Sequence, residues 1–350
     1  MTLHLTQETL LLGLRDPFRI ARTDHTTDDR LVTTVVVELR DDRFPDVVGV
    51  GEGYPDRFYG ETPETMSVVF PLLVEAVGEI PPDEPGLAAA DLAMEAAIRG
   101  HGAARCAIDI ALHDLVGKVI GRPAHEIRGL SSIIPPTDFT IGIDLPDVVA
   151  RRAARASDFP ALKIKCGGRE DLATLEAVRA VFDGPIRVDA NTGWVPDEAV
   201  RLLPELERLG VELIEQPFPA GRLDQLSWLQ ERSALPIVAD ESCVLPEDLD
   251  RLVGVVAGVN VKLAKCGGIG PAKRMLERAR VLGFKTFLGC MEETSVGIGG
   301  SAVVASLADW VDLDGCLLLA DDPFEGLDLD GDHRWILPPR PGLGLTRRGS

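Results

Sequence analysis

Short apolar segments recur along the second half of the chain, each ending in polar residues before an amphipathic stretch begins. They are "FTIGI" (139–143), "ALKIK" (161–165), "IRVDAN" (186–191), "ELIEQP" (212–217), "PIVADES" (236–242), "GVNVKLAK" (258–265), "KTFLGC" (285–290) and "WVDLDG" (310–315). Stretches between them, such as "EDLATLEAVRAVF" and "PDEAVRLLPELERLG", repeat apolar residues at three- and four-residue spacing, and a glycine follows the second. Near-continuous apolar strands alternating with helices predict a parallel sheet covered by helices. Eight such repeats predict a (β/α)8-type barrel over residues 126–320. An open doubly wound sheet would usually carry a Gly-rich phosphate loop after its first strand, and none is apparent.

The first 125 residues follow a different pattern. "LVTTVVVELRDD" and "VVGVGEG" read as β-branched, alternating strands separated by turn-like "DDRFPD", and a helical run follows, strongest in "GHGAARCAIDIALHDLVGK". Strands followed by helices predict a separate α+β domain over residues 1–125. Residues 321–350 return to short strands and turns and are expected to pack back on that domain.

Composition narrows the function classes. The 350 residues are 45% hydrophobic and 26% charged, ordinary for a globular protein, but the net charge is −20. Such acidity argues against nucleic acid or an anionic membrane as partner. No apolar run reaches membrane-helix length, and the N-terminus lacks a signal peptide's charged start and cleavage site. Six cysteines form no CxxC pair and are too sparse for a disulfide framework. These features predict a cytoplasmic location.

In a barrel of this kind the active site is built at the carboxyl ends of the strands. Here those ends carry Lys163 and Lys165, Asp189 and Asn191, Glu215, Asp240 and Glu241, Lys262 and Lys265, then Asp312 and Asp314. Consecutive members from Lys165 to Lys262 lie 22 to 26 residues apart, one repeat each, so they converge on one mouth. Asp189, Glu215 and Asp240 would repel one another without a cation between them. A few-carboxylate site of this type suits Mg2+. Lys165 ends the second strand and Lys262 the sixth, half a turn apart, a geometry suited to removing a proton from one face of a carbon and returning it on the other. A lysine base needs its pKa lowered from ~10.4 toward ~7–8, and Lys163 together with the metal charge is expected to do so. A carboxylate chelating the metal would become an enediolate stabilised by the cation. Lys265 is expected to be structural or to help bind an anionic intermediate, with Asn191 and Glu241 as supporting residues.

The motifs "KIKCGG", "VDANTGW", "IEQP", "ADES" and "VNVKLAKCGG" together resemble the enolase superfamily, in its muconate-lactonizing-enzyme-like subgroup. The resemblance spans nearly the whole chain and implies an N-terminal capping domain completed by the C-terminal segment. It also implies acid/base roles for Lys165 and Lys262, support from Lys163, and Mg2+ ligation by Asp189, Glu215 and Asp240. Within the subgroup, "DLDG" is most like the DxD motif of dipeptide epimerases, in which two aspartates, here Asp312 and Asp314, receive the substrate's α-ammonium. The implied reaction inverts the α-carbon of a dipeptide's C-terminal residue by two-lysine proton transfer. The alternatives are an N-acylamino-acid racemase, an o-succinylbenzoate synthase, a muconate-type cycloisomerase, or a barrel retained as a non-enzymatic scaffold.

Side-chain specificity is expected in residues 19–29, residues 54–64 and the seventh-strand loop "GCMEETSVG" with Glu292. Arg22 resembles the loop arginine that meets an acidic side chain in Ala-Glu epimerases. Asp24, Asp28, Asp29, Asp56, Glu61 and Glu292 pull the other way, toward a cationic side chain. The resemblance also implies assembly into a homo-oligomer.

Overall fold

Strand β1 (Leu3–Gly13) pairs antiparallel with β2 (Leu31–Asp41), which pairs antiparallel with β3 (Val48–Gly53). The computed structural model describes residues 3–22 and 29–349. Strand β1 is absent from the sequence expectation for a physical reason. It is an edge strand, exposed along much of its length, so its residues lack the alternation of a half-buried strand.

Helices α1 (Pro63–Val77), α2 (Glu84–Ala97) and α3 (Gly102–Ile120) follow. Helix α3 is buried from Gly102 through Gly117, and the reason lies in the "GVGEG" of β3. Gly49, Gly51 and Gly53 share one face of that strand, so the α3 backbone can lie directly against it. A Cβ on Gly51 would fall 1.9 Å from the Ala107 carbonyl oxygen. Glu61 caps the start of α3, accepting from the amides of Ala103 at 2.8 Å and Ala104 at 3.1 Å.

After the short α4 (Ala124–Ile127), the chain alternates strands and helices. The order is β4 (Phe139–Ile141), α5 (Pro146–Arg155), β5 (Leu162–Lys165), α6 (Asp171–Arg179), β6 (Ile186–Asp189), α7 (Pro196–Arg208), β7 (Val211–Glu215), α8 (Leu223–Gln230), β8 (Ile237–Ala239) and α9 (Pro246–Leu252). Then come β9 (Gly258–Lys262), α10 (Leu263–Cys266), α11 (Ile269–Val281), β10 (Lys285–Gly289), α12 (Ser295–Ala302), β11 (Trp310–Val311) and α13 (Gly315–Leu318). All eight strands are parallel and neighbours in sequence order. A bridge between Thr137 and Val311, with the Asp138 amide donating to the Val311 carbonyl at 3.1 Å, closes the barrel. Leu162 and Ile164 pack into the core beneath the helices, while Lys163 and Lys165 alternate to the other face.

The eighth repeat departs from the pattern. Its helix, α13, is one turn long, because the chain then leaves the barrel to bridge Leu319 onto Leu14. The C-terminal segment forms two small strand pairs, β12 (Phe324–Glu325) with β15 (Thr346–Arg347) and β13 (Asp328–Leu329) with β14 (Trp335–Ile336). Its end touches the N-terminal sheet and α3: Leu343 N donates to Asp114 at 2.9 Å, and Arg347 pairs with Glu8 at 2.6 Å. Its middle holds the barrel, since the Trp335 indole donates to the Leu313 carbonyl at 2.9 Å. No helix among the described residues is long and apolar enough to cross a membrane.

The repeated Gly-Gly has one use at two places. Gly167 and Gly267 both sit at φ +109°, a region open to glycine. A Cβ on Gly167 would meet Ala21 Cβ at 2.5 Å, and one on Gly267 would meet the Arg105 guanidinium at 2.7 Å. Each pair is thus a place where the N-terminal region presses on the barrel mouth. Gly268 is tighter still: a Cβ there would lie 2.4 Å from Asp109 Oδ2, which caps α11 through the Ile269 amide at 2.6 Å. Gly268→Ala is therefore expected to destabilise the protein by about 3 kcal/mol, read as a lower urea midpoint. An unchanged midpoint would show that the contact yields.

Candidate active site

The strand register brings the charged residues of the barrel mouth together. Lys165 lies opposite Asp189 across β5 and β6, and Asp189 opposite Glu215 across β6 and β7. Asp189, Glu215 and Asp240 are each at most 1% exposed, and one carboxylate oxygen from each lies within 4.8 Å of the others. Asp189 Oδ1 accepts from the Asn191 amide at 2.9 Å, and Glu215 Oε1 accepts from Asn260 Nδ2 at 2.8 Å. Glu215 Oε2 is buried without a hydrogen bond. Three convergent hard oxygens, one of them facing only the Lys163 ammonium at 2.8 Å, fit a divalent cation of the Mg2+ type.

Four lysines surround this cluster. Lys163 Nζ lies 2.8 Å from Glu215, 2.9 Å from Asp312 and 3.2 Å from Asp189. Lys165 Nζ donates to Asp189 at 2.7 Å, and Lys262 Nζ pairs with Asp240 at 2.9 Å. The two proposed acid/base lysines thus approach the carboxylates from opposite sides. Lys265 does not face the mouth. Its ammonium is consumed by Asp240 Oδ1 at 2.5 Å and by the carbonyls of Asp240, Asn260 and Cys243 at 2.7 to 2.9 Å, so it fixes the β8 end and has no donor left for an anionic intermediate.

Burial and charge act in opposition here. Burial alone would lower Lys262, but Asp240 outweighs it and raises the pKa. Lys163 behaves likewise: desolvation lowers it, and Asp312, Glu215 and Asp189 lift it well above the usual lysine range. The sequence argument expected Lys163 and the metal to depress a neighbouring lysine. It left out the carboxylates, which pair with the lysines directly. Among the carboxylates, burial would raise Asp240, yet Lys262 and Lys265 hold it well below its ordinary value. Glu215 is opposed by Lys163 and by the more distant Lys262, yet burial followed by Asp189 pushes it up to about 7.

Asp312 and Asp314, at the end of β11, are both buried and are not equivalent. Asp312 accepts from Lys163 at 2.9 Å and from Thr140 Oγ1 at 3.0 Å. Burial would raise it, but the Lys163 ammonium pulls it below the usual carboxylate range. Asp314 accepts the Thr140 amide at 2.6 Å, and burial followed by Asp312 raises it well above that range. Cys290 lies beside both, with ligand atoms of all three within 4.8 Å of one another.

The rim residues divide sharply. Arg22 reaches in to Glu241 at 3.1 Å and stacks 4.1 Å over the Phe58 ring. Glu292 accepts from the Tyr54 phenol, whose pKa is raised well above normal by burial and then by that carboxylate. Several acids expected to line the rim do other work. Glu61 is the cap of α3, Asp29 pairs with Arg19, and Asp56 accepts from the Phe58 amide at 2.8 Å. Asp24 and Asp28 lie outside the described residues.

Sequence reasoning missed a supporting layer. Asp138 and Glu212 grip Arg187 from two sides, each at 2.8 Å, inside the barrel near Lys163 and Phe287. Gln216 is a hub at φ +35°: its Oε1 accepts the Asp240 and Ser242 amides and its Nε2 donates to the Phe218 carbonyl. Asn260 and Arg187 alternate inward on apolar strands, and polar residues at inward positions were the available signal.

Residues 11–129 match the mandelate racemase / muconate lactonizing enzyme N-terminal domain, and residues 148–349 match the enolase C-terminal domain-like family. The chain belongs to the enolase superfamily. It is 37% identical over 340 residues to the L-Ala-D/L-Glu epimerase of Bacteroides thetaiotaomicron, covering 96% of this chain and 86% of that protein. Its fold matches a dipeptide epimerase from Enterococcus faecalis complexed with Mg and L-Leu-L-Tyr, with a TM-score of 0.89, 31% identity and 99% of each chain covered. It equally matches one from Methylococcus capsulatus complexed with Mg and L-Arg-D-Lys, with a TM-score of 0.87 and 33% identity over 99% of this chain and 100% of that one. Those relatives handle acidic, apolar and cationic side chains, so superfamily membership leaves the side chain undecided.

One buried acid beside the mouth gives a pH dependence. Glu293 on the β10–α12 loop is 1% exposed, accepts the Met291 amide at 3.1 Å, and has no partner for Oε1. Burial, then the buried Glu52 carboxylate, push it up to about 8 from 4.5. A carboxyl raised in the folded state contributes stability below its unfolded pKa and loses it as pH rises through the folded one. Stability is therefore expected to fall from about pH 4.5 up to about pH 8. Glu293→Gln should flatten that decline in urea melts. An equally steep decline in the variant would assign it elsewhere.

Proposed function

We propose that the protein is a Mg2+-dependent dipeptide epimerase that inverts the α-carbon of the C-terminal residue. One observation carries the reading: Lys165 and Lys262 enter the carboxylate cluster from strands four apart, each held by a different carboxylate, Asp189 or Asp240. A carbon between them has a lysine amine on either face, and with one neutral and the other protonated the first takes the α-proton from its side while the second gives a proton back on the other.

Mg2+ held by Asp189, Glu215 and Asp240 would supply the positive charge that a carbon acid needs when its α-proton leaves. The residues of this chain do the rest. Asn260 and the Asn191 amide fix the directions of Glu215 and Asp189, and Lys265 fixes Asp240. Lys163 neutralises the centre of the cluster and is too fully engaged to exchange a proton itself. Lys165 takes or returns the proton on one face and Lys262 on the other.

Asp312 and Asp314 distinguish a dipeptide from an N-acylated or cycloisomerase substrate. Two buried carboxyls pushed to opposite protonation tendencies form a poor resting pair and a good receptor for a cation, which lets both ionise. A free α-ammonium meets that need, and an acyl group or a dienoate does not.

The test is solvent exchange. Incubation with Mg2+ and dipeptide pools in deuterated water is expected to give a one-dalton mass gain with inversion, abolished by EDTA. Lys165→Ala or Lys262→Ala should lower turnover on the order of 10²–10⁴-fold. Asp312→Asn with Asp314→Asn should abolish dipeptide turnover. Unchanged turnover in that double variant would remove the dipeptide assignment, and no exchange on any pool would remove the epimerase reading.

A further inference from the structure

Arg22 carries an ambiguity that the family alone cannot resolve, since relatives accept acidic, apolar and cationic dipeptides. The guanidinium is held on one side by a carboxylate, while its Nε is buried without a hydrogen-bond partner. Its Nη2 donates to Glu241 Oε1 at 3.1 Å, its plane covers Phe58, and its side chain is 23% exposed. The neighbouring Ala21 is wedged into the notch formed by Gly167 and Gly193, so the backbone there has little room to withdraw. Turning Arg22 toward a substrate carboxylate would strip Glu241, a residue 3% exposed, of its one ion-pair partner among the described residues.

Two further atoms identify what this pair serves. Asn191 Nδ2 donates to the same Glu241 oxygen at 3.3 Å, and the Asn191 amide holds Asp189 Oδ1 at 2.9 Å. Glu241 is also the immediate neighbour of Asp240. The other ends of both side chains, Glu241 Oε2 and Asn191 Oδ1, are buried acceptors with no donor. Buried acceptors require donors. A hydrated divalent ion brings them, because Mg2+ binds a few carboxylates and keeps several waters.

We infer that Arg22, Glu241 and Asn191 form a positioning chain for the cation site, in which Arg22 aims Glu241 at the ion's hydration shell and takes no part in reading the dipeptide's side chain. This rests on the metal-dependent reading above. Outer partners of this kind typically govern metal affinity by about 10- to 100-fold. The chain also ties the N-terminal region, through residues 21, 22 and 58, to the metal, so metal binding and the seating of that region favour each other.

The sign of the effect makes the inference testable. On Coulomb grounds alone, deleting a nearby cation would tighten Mg2+ binding. A positioning role predicts the opposite. The measurement is Mn2+ binding to metal-free protein without dipeptide, followed by the EPR signal of free Mn2+, with Mg2+ competition. Arg22→Ala is expected to weaken binding about tenfold, Glu241→Gln at least as much, and Arg22→Lys to restore most of it. Arg22→Gln carries the same test should the alanine variant not fold. Affinity unchanged or tightened in Arg22→Ala overturns the inference. So does a rise in KM confined to acidic dipeptides with metal affinity intact, which would make Arg22 a side-chain contact. If the unaltered protein binds no Mn2+, the metal-dependent function falls and the inference with it; if it binds and the variants match it, only the inference falls.

Discussion

The mouth of the barrel depends on the Lys163 ammonium. It is buried to 1% exposure, where an unpaired cation could not persist, and it touches Asp189, Glu215 and Asp312 at once. Remove that charge and three buried carboxylates from three strands face one another with the Lys165 ammonium, on Asp189, left to offset them. Every other charged contact at the site is arranged around this knot. Lys165 and Lys262 flank it, Lys265 pins Asp240 beyond it, and Asp312 joins the β11 end to the other strands. The geometry is held by ionic constraint on short strand ends, so the chemistry can stay fixed while the surrounding loops differ.

That economy explains which parts were legible in the sequence. The barrel strands are short apolar words with polar endings, and their repeat length is enough to put the convergent residues on strand ends. Lys163, Lys165, Asp189, Glu215, Asp240 and Lys262 all occupy the mouth as the repeat implied. Asp312 and Asp314 followed from the same logic, though their unequal environments did not. Spacing records which strand a residue ends. It does not record that Thr140 serves both aspartates, or that Lys163 takes one of them.

The illegible parts share a cause as well. Strand β1 is a half-solvated edge and carries little periodicity. The truncated eighth helix depends on a contact between Leu319 and Leu14, residues 305 apart. Rim charges were the least readable. Glu61 and Asp29 look like exposed acids in a polar loop, and only the fold reveals that one caps a buried helix and the other pairs with Arg19. The count of acids near a mouth is a weak guide to what the mouth receives, because short polar side chains have local backbone partners competing for them.

Helix α3 belongs to two cores. Cys106 and Ile110 lie in the hydrophobic cluster between the barrel strands and their helices, while Ala107, Ile108, Ala111 and Leu112 lie in the one beneath the N-terminal sheet. No cut through the chain leaves both halves with a covered interior. The N-terminal sheet and the barrel are therefore built around one shared helix, and parting them would expose α3 on one side or the other.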